Sequence, residues 1–219
     1  MFCAFVNKQW TNVGASVTSD ARVYSGGVRM RSLTMSVLGC LAVTLACSTA
    51  DTDRTPEVTQ RGTYIVWYQG PEIQAELDYR WADGHLGDEW LILRLSLTGP
   101  GTSVERESIR IRTPDGHTLP LIDQQEFRRV YGKLRIGLDR SYAWEPPTGR
   151  FAGSREACGQ WFLVPPGQFL ATSTLFLSSA RVCTGPLVFQ VPIGVQPGRW
   201  VLIIDLEETD ARIPFVLGG

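Results

Sequence analysis

The densest group of reactive side chains in this 219-residue chain is Asp83-Gly84-His85-Leu86-Gly87-Asp88-Glu89, three carboxylates and an imidazole within seven residues. Carboxylate and imidazole oxygens and nitrogens suit a divalent cation or acid–base work. Asp83, His85, Asp88 and Glu89 are therefore the candidate metal ligands. The competing reading is a polar hairpin turn in which Asp-Gly supplies backbone positions with φ > 0. The turn is preferred, because His117 is the one other histidine and two cannot build a three-histidine zinc site. No metal and no cofactor are expected.

Nucleophilic catalysis finds no footing either. The chain has no Gly-x-Ser-x-Gly elbow and no Ser-x-x-Lys motif. Gly-rich phosphate loops of the two common kinds are also missing. A non-catalytic role is expected; the enzymatic alternative is a metal-dependent enzyme or hydrolase centred on the loop 83–89. Candidate contact residues for a partner are Trp144, set beside Glu145-Pro146-Pro147, and the basic pair Arg128 and Arg135. With Arg129 and Arg140, that pair could present a basic helix face to acidic envelope polymers, although a solvated helix face is the simpler reading. Tryptophan is frequent, and most of these indoles are expected in a core.

These residues need a compartment and a frame, and the cysteines supply the first clue. Five are present: Cys3, Cys40, Cys47, Cys158 and Cys183. Between Arg29 and Cys47 two arginines precede a run without charge that ends in Ala46-Cys47. A basic start, an apolar middle and a small-residue end make an export signal. Its apolar part, 33–46, is shorter than the ~20 residues of a membrane-spanning helix. Export removes Cys3 and Cys40, and Cys47 is either the modified first residue or removed as well. Cys158 and Cys183 then form an even pair in an oxidising compartment, and a Cys158–Cys183 disulfide is expected. In the chain-entropy model such a loop stabilises by about 3–4 kcal/mol.

Residues 1–28 read as neither signal nor domain. Met30 opens the better leader, with Ser25-Gly26-Gly27 just upstream as a translated ribosome-binding sequence, so the first 29 residues are expected to be a start-site error. The end of the signal, Thr44-Leu45-Ala46-Cys47, resembles the lipobox of bacterial lipoproteins; it keeps the small residue and the cysteine but places its leucine one position late. The resemblance implies lipidation at Cys47, and Ser48 after it implies delivery to the outer membrane, facing the periplasm. Ordinary cleavage after Ala50 is the rival, leaving a soluble periplasmic chaperone or assembly factor. The implied partners are the membrane, through the lipid, and an envelope protein or polysaccharide. From Cys47 onward 17 basic and 21 acidic side chains leave a net charge of −4, which does not favour nucleic acid.

The elements that must position the candidates follow from periodicity. Residues 47–62 are nearly devoid of apolar side chains and are expected to be a flexible tether. The domain is expected to run from 63 to 219. Strands are expected at 64–68, 73–81, 90–97, 104–112, 160–164, 173–177, 187–191, 200–206 and 211–217, with a hairpin turn at Pro114-Asp115-Gly116. From Asp123 the apolar positions Phe127, Val130, Tyr131, Leu134 and Leu138 recur at threes and fours, an amphipathic helix to about Arg140. Asp123 with Glu126 three residues on is a helix-start signature. Gly132 and Gly137 oppose the helix, each costing about 1 kcal/mol against alanine. The segment Gln196-Pro197-Gly198-Arg199-Trp200 resembles the penultimate-strand corner of immunoglobulin-like domains, where an aromatic anchors the turn. The expected fold is mainly β, an immunoglobulin-like β-sandwich with one inserted helix over about 123–140.

Overall fold

The computed structural model describes residues 55–142, 151, 156–167 and 171–219. The leader, Cys47, residues 47–54 of the tether and Trp144 lie outside these residues. In chain order the elements are β1 (Glu57–Gln60), β2 (Ile65–Gln69), β3 (Gln74–Asp78), α1 (Arg80–Asp83), β4 (Trp90–Thr98), β5 (Ser103–Glu105), β6 (Ile109–Arg112), β7 (Thr118–Pro120), α2 (Gln124–Tyr142), β8 (Glu156–Ala157), β9 (Thr174–Phe176), β10 (Arg181–Gln190), β11 (Gly198–Asp205) and β12 (Asp210–Leu217). The large sheet has the order β1-β2-β3-β4-β10-β8, and the small sheet β12-β11-β6-β7. β5 and β9 form a separate antiparallel pair. The domain is a mainly β sandwich with one inserted helix, as the periodicity predicts.

Alternation along the strands sets the layers. Ala75 and Leu77 of β3, Leu91, Leu93, Leu95 and Leu97 of β4, and Leu187 and Phe189 of β10 are all 1 % exposed or less. They join Ile109, Ile111, Trp200, Leu202, Ile204, Ile213 and Phe215 of the small sheet in one core. Full burial of each such side chain contributes about 1.5–3 kcal/mol before entropy is counted. The outer face of the large sheet takes α2, which lies against β4 and β10 and touches α1. Among the described residues no helix is long and apolar enough to cross a membrane.

The helix begins where its cap signature predicts. The Asp123 carboxylate accepts the Glu126 N–H at 2.7 Å, satisfying an N-terminal donor. Phe127, Val130, Leu134 and Leu138 are buried. Gly137 has a packing reason: a Cβ there would lie 2.9 Å from Ile92 Cδ1 and 3.1 Å from the Trp81 ring. The glycine lets α2 approach the sheet, whereas Gly132 faces open space. Gln124, in the first turn of α2, clasps the Val164 backbone, donating to its carbonyl at 2.7 Å and accepting its N–H at 2.9 Å.

Other boundaries moved for identifiable reasons. Glu57–Gln60, inside the expected tether, pairs antiparallel with β2 while its four side chains stay exposed. Backbone hydrogen bonds, which composition does not register, hold it there. The expected strand 73–81 ends at Asp78, whose carboxylate accepts the Arg80 N–H at 2.9 Å and turns the chain into α1. The expected strand 104–112 divides at a 3-10 turn, Arg106–Ser108, because β5 and β6 belong to different pairings. Residues 160–164 are irregular, although Trp161, Phe162 and Leu163 are buried. The turn at Asp115-Gly116 forms as expected, with Gly116 at φ 92° joining β6 to β7. Trp200 anchors the β11 corner, fully buried with its indole N–H donating to the Gln196 carbonyl at 2.9 Å. Cys158 and Cys183 form the expected disulfide, Cα atoms 4.5 Å apart, tying the segment after β8 to β10.

Candidate functional site

The reactive loop 83–89 does not fold as a hairpin turn. Gly84 closes α1 in a right-handed conformation, φ −79°, and the positive φ falls at Gly87, 89°. The side chains of the loop separate. The Asp83 carboxylate accepts the Gly218 N–H at 2.7 Å, and Glu89 accepts the Gln190 amide at 2.8 Å. Asp88 is exposed. Among the described residues no three His, Cys, Asp or Glu side chains come together as a metal site would require. The four candidates of that loop are thus positioned apart, and only His85 reaches a cavity.

That cavity, about 220 Å³, lies on the outer face of the large sheet between β3, β4, α1 and the end of α2. β3 supplies Asp78, and β4 supplies Ile92 and Arg94. Arg94 is in register with Asp78 on the neighbouring strand and only 9 % exposed. Arg80 and Trp81 come from α1, with His85 just beyond it, and α2 adds Arg140 and Ser141 from its last turn. Three guanidiniums thus surround the space against one carboxylate.

Local structure holds the aromatic wall rigid. The His85 ring stacks on Trp81 with centroids 3.5 Å apart and planes 20° from parallel. His85 Nδ1 lies 2.7 Å from the Trp81 carbonyl; since a carbonyl only accepts, Nδ1 carries the proton and Nε2 is the remaining nitrogen. Gly137 and Ile92 close on the indole from α2 and β4. Ser141 donates to the Leu138 carbonyl at 2.8 Å, and Arg80 lies over the Tyr64 ring at 5.7 Å. The wall is a packed stack rather than a mobile loop side chain.

Arg128 and Arg135 are exposed on α2, away from the cavity lining. Arg129 between them is paired with Glu126 one helical turn back, so the expected basic face is partly neutralised. Trp144 lies outside the described residues. Arg80, Arg94 and Trp81 escaped the sequence reading because no motif links them; the one available signal was Arg94, a charge inside the most apolar strand. A second depression of about 290 Å³ is bounded by Glu72, Glu207, Glu208 and the exposed Phe176. Its Glu72 carboxylate is committed to the β11–β12 turn, accepting the Thr209 N–H at 3.0 Å and hydroxyl at 2.8 Å. Comparison with protein-family models, curated proteins and solved structures finds no match to this chain.

Proposed function

We propose that this chain is an exported, lipid-anchored protein of the bacterial cell envelope whose β-sandwich binds or scaffolds rather than catalyses. The observation that carries this reading is the Cys158–Cys183 disulfide. Such bonds persist in oxidising compartments and are rare in the reducing cytosol. It supports the same compartment as the signal-like stretch 29–47 and the lipobox-like end at Cys47. The outer membrane, with the domain facing the periplasm, is the proposed location, and an envelope protein or polysaccharide the proposed partner. The separation of Asp83, His85, Asp88 and Glu89 favours binding over metal-dependent hydrolysis, because the Asp83 and Glu89 carboxylates are each engaged elsewhere in the fold, with Gly218 and Gln190.

Mass spectrometry of the mature N-terminus isolated from membranes tests the reading. A diacylglyceryl Cys47 is the expected result, and Cys47→Ala is expected to move the protein from the membrane to the soluble fraction. A free N-terminus at Asp51 in wild-type cells would overturn the anchor.

A further inference from the structure

We infer that the solvent face of α2 is a docking surface for an anionic phospholipid bilayer. The inference rests on the lipid-anchor reading above, which brings the domain to a membrane, and it names the face that meets that membrane. Phe127, Val130, Leu134 and Leu138 turn one side of α2 into the fold. At about 3.6 residues per turn, the opposite side is centred on Ile136. Arg129, Lys133 and Arg140 flank it on one side, Arg128 and Arg135 on the other, and all six are exposed. From Arg128 to Arg140 this stripe runs for about 18 Å of helix.

Charge selects this face. α2 carries these five basic side chains against Glu126 and Asp139, a net charge of +3. The rest of the chain from Cys47 has 12 basic and 19 acidic side chains, a net charge of −7. Glu126 pairs with Arg129, while Arg128, Lys133, Arg135 and Arg140 make no ion pair among the described residues. An anionic surface therefore attracts the helix and repels the remainder, which orients the domain as well as holding it. Ile136 selects a bilayer over a soluble polyanion. Left 62 % exposed in the middle of the basic stripe, it gains by entering the headgroup region, whereas a hydrated polymer offers it no apolar phase. The tether has the reach. Cys47 lies eight residues before Thr55, at most about 30 Å of chain. The sheet begins at β1, three strand spacings or about 14 Å from the β4 that α2 covers.

Cys47–Gly219 is a compact unit that holds the whole described core, so the chain from Ser48 onward, without leader or lipid, is sedimented with vesicles. A failed anchor is read from the mature N-terminus and a failed helix face from these vesicles, which keeps the two apart. Binding to equimolar phosphatidylcholine and phosphatidylglycerol is expected at low salt, with none to phosphatidylcholine alone and progressive loss as salt is added. Arg128→Gln with Arg135→Gln is expected to weaken partitioning by about twentyfold, and Ile136→Ser by about threefold. Arg112→Gln with Arg199→Gln, two exposed arginines of the small sheet, is expected to change it by less than about twofold. Equal behaviour of the two vesicle compositions, or equal weakening by the two arginine pairs, would overturn the inference. So would an Ile136→Ser variant that partitions as wild type while soluble polygalacturonate binds as tightly as the vesicles, an outcome that assigns the face to an acidic polysaccharide.

Discussion

The two faces of the large sheet are built to opposite rules. On the inner face, β3, β4 and β10 present Ala75, Leu77, Leu91, Leu93, Leu95, Leu97, Leu187 and Phe189, all essentially inaccessible. On the outer face the intervening positions of the same strands mix polar Glu76, Asp78, Arg94, Ser96, Thr98 and Thr184 with apolar Ile92, Pro186 and Val188. Of the polar ones, Glu76, Arg94, Ser96 and Thr98 are also buried. Both faces are covered, one by a second sheet and the other in part by α2. Burying polar groups costs free energy unless each is satisfied, so an outer face filled with leucine would make a more stable protein. The contrast teaches that the inner face carries stability and the outer face carries specificity. The polar side is where a ligand site is to be sought.

Substitutions can break or sharpen this contrast. The largest effect is expected from Leu95→Ala on the inner face, about 3 kcal/mol of lost stability by denaturant unfolding. Gly137→Ala probes the outer cover: the new Cβ meets Ile92 and Trp81 at 2.9 and 3.1 Å. Overpacking of this kind is expected to cost about 1–3 kcal/mol, with a changed Trp81 signal in near-ultraviolet circular dichroism. Arg94→Leu, on the opposite face of the strand that bears Leu95, is expected to cost less than Leu95→Ala, since Arg80 and Arg140 line the same cavity as Asp78 and can take over part of its compensation. A loss as large as that of Leu95→Ala would erase the distinction between the faces.

The smallest effect concerns a polar group on the inner side. Tyr68 is 1 % exposed, and its hydroxyl makes no hydrogen bond to another described group. Tyr68→Phe removes an unsatisfied polar atom and is expected to raise stability by up to about 1 kcal/mol. Burial, reinforced by the Glu72 carboxylate, pushes the Tyr68 phenol above its ordinary value of 10.0. A folded-state value raised in this way leaves its stabilising contribution intact below pH 10 and removes it as the pH climbs toward the folded value. Wild type is thus expected to lose stability more steeply than Tyr68→Phe above pH 10 in alkaline unfolding curves.

Much of this frame was legible in the residues. The spacing of Phe127, Val130, Leu134 and Leu138 marked α2, and Asp123 marked its start, because local capping and a single apolar stripe decide a helix. Trp90 to Leu97 marked β4, and the leucines at alternate positions already separated its faces. The edge strand β1 was not legible, since three of its four side chains are polar and it is held by backbone pairing to β2 and by the Gln60 amide donating to the Tyr79 hydroxyl. The site was hidden more deeply. The loop 83–89 advertised itself by local density, yet folding sends Asp83 toward Gly218 and Glu89 toward Gln190. Arg80, Arg94 and Arg140 lie on three elements and share no spacing.

The sequence by itself determined the alternation that makes a sandwich, the amphipathic helix, the hairpin at Asp115-Gly116 and the pairing of Cys158 with Cys183. These follow from short-range periodicity, turn chemistry and the parity of cysteines, which leave marks within a few residues or in a simple count. Only the tertiary structure decided which polar residues meet. It turned Arg94 away from the core, seated α2 on the sheet through Gly137, and closed a cavity around guanidiniums sixty residues apart in the chain. Long-range packing makes that choice, because strand register and helix approach, rather than any local propensity, bring Arg80, Arg94 and Arg140 around one space.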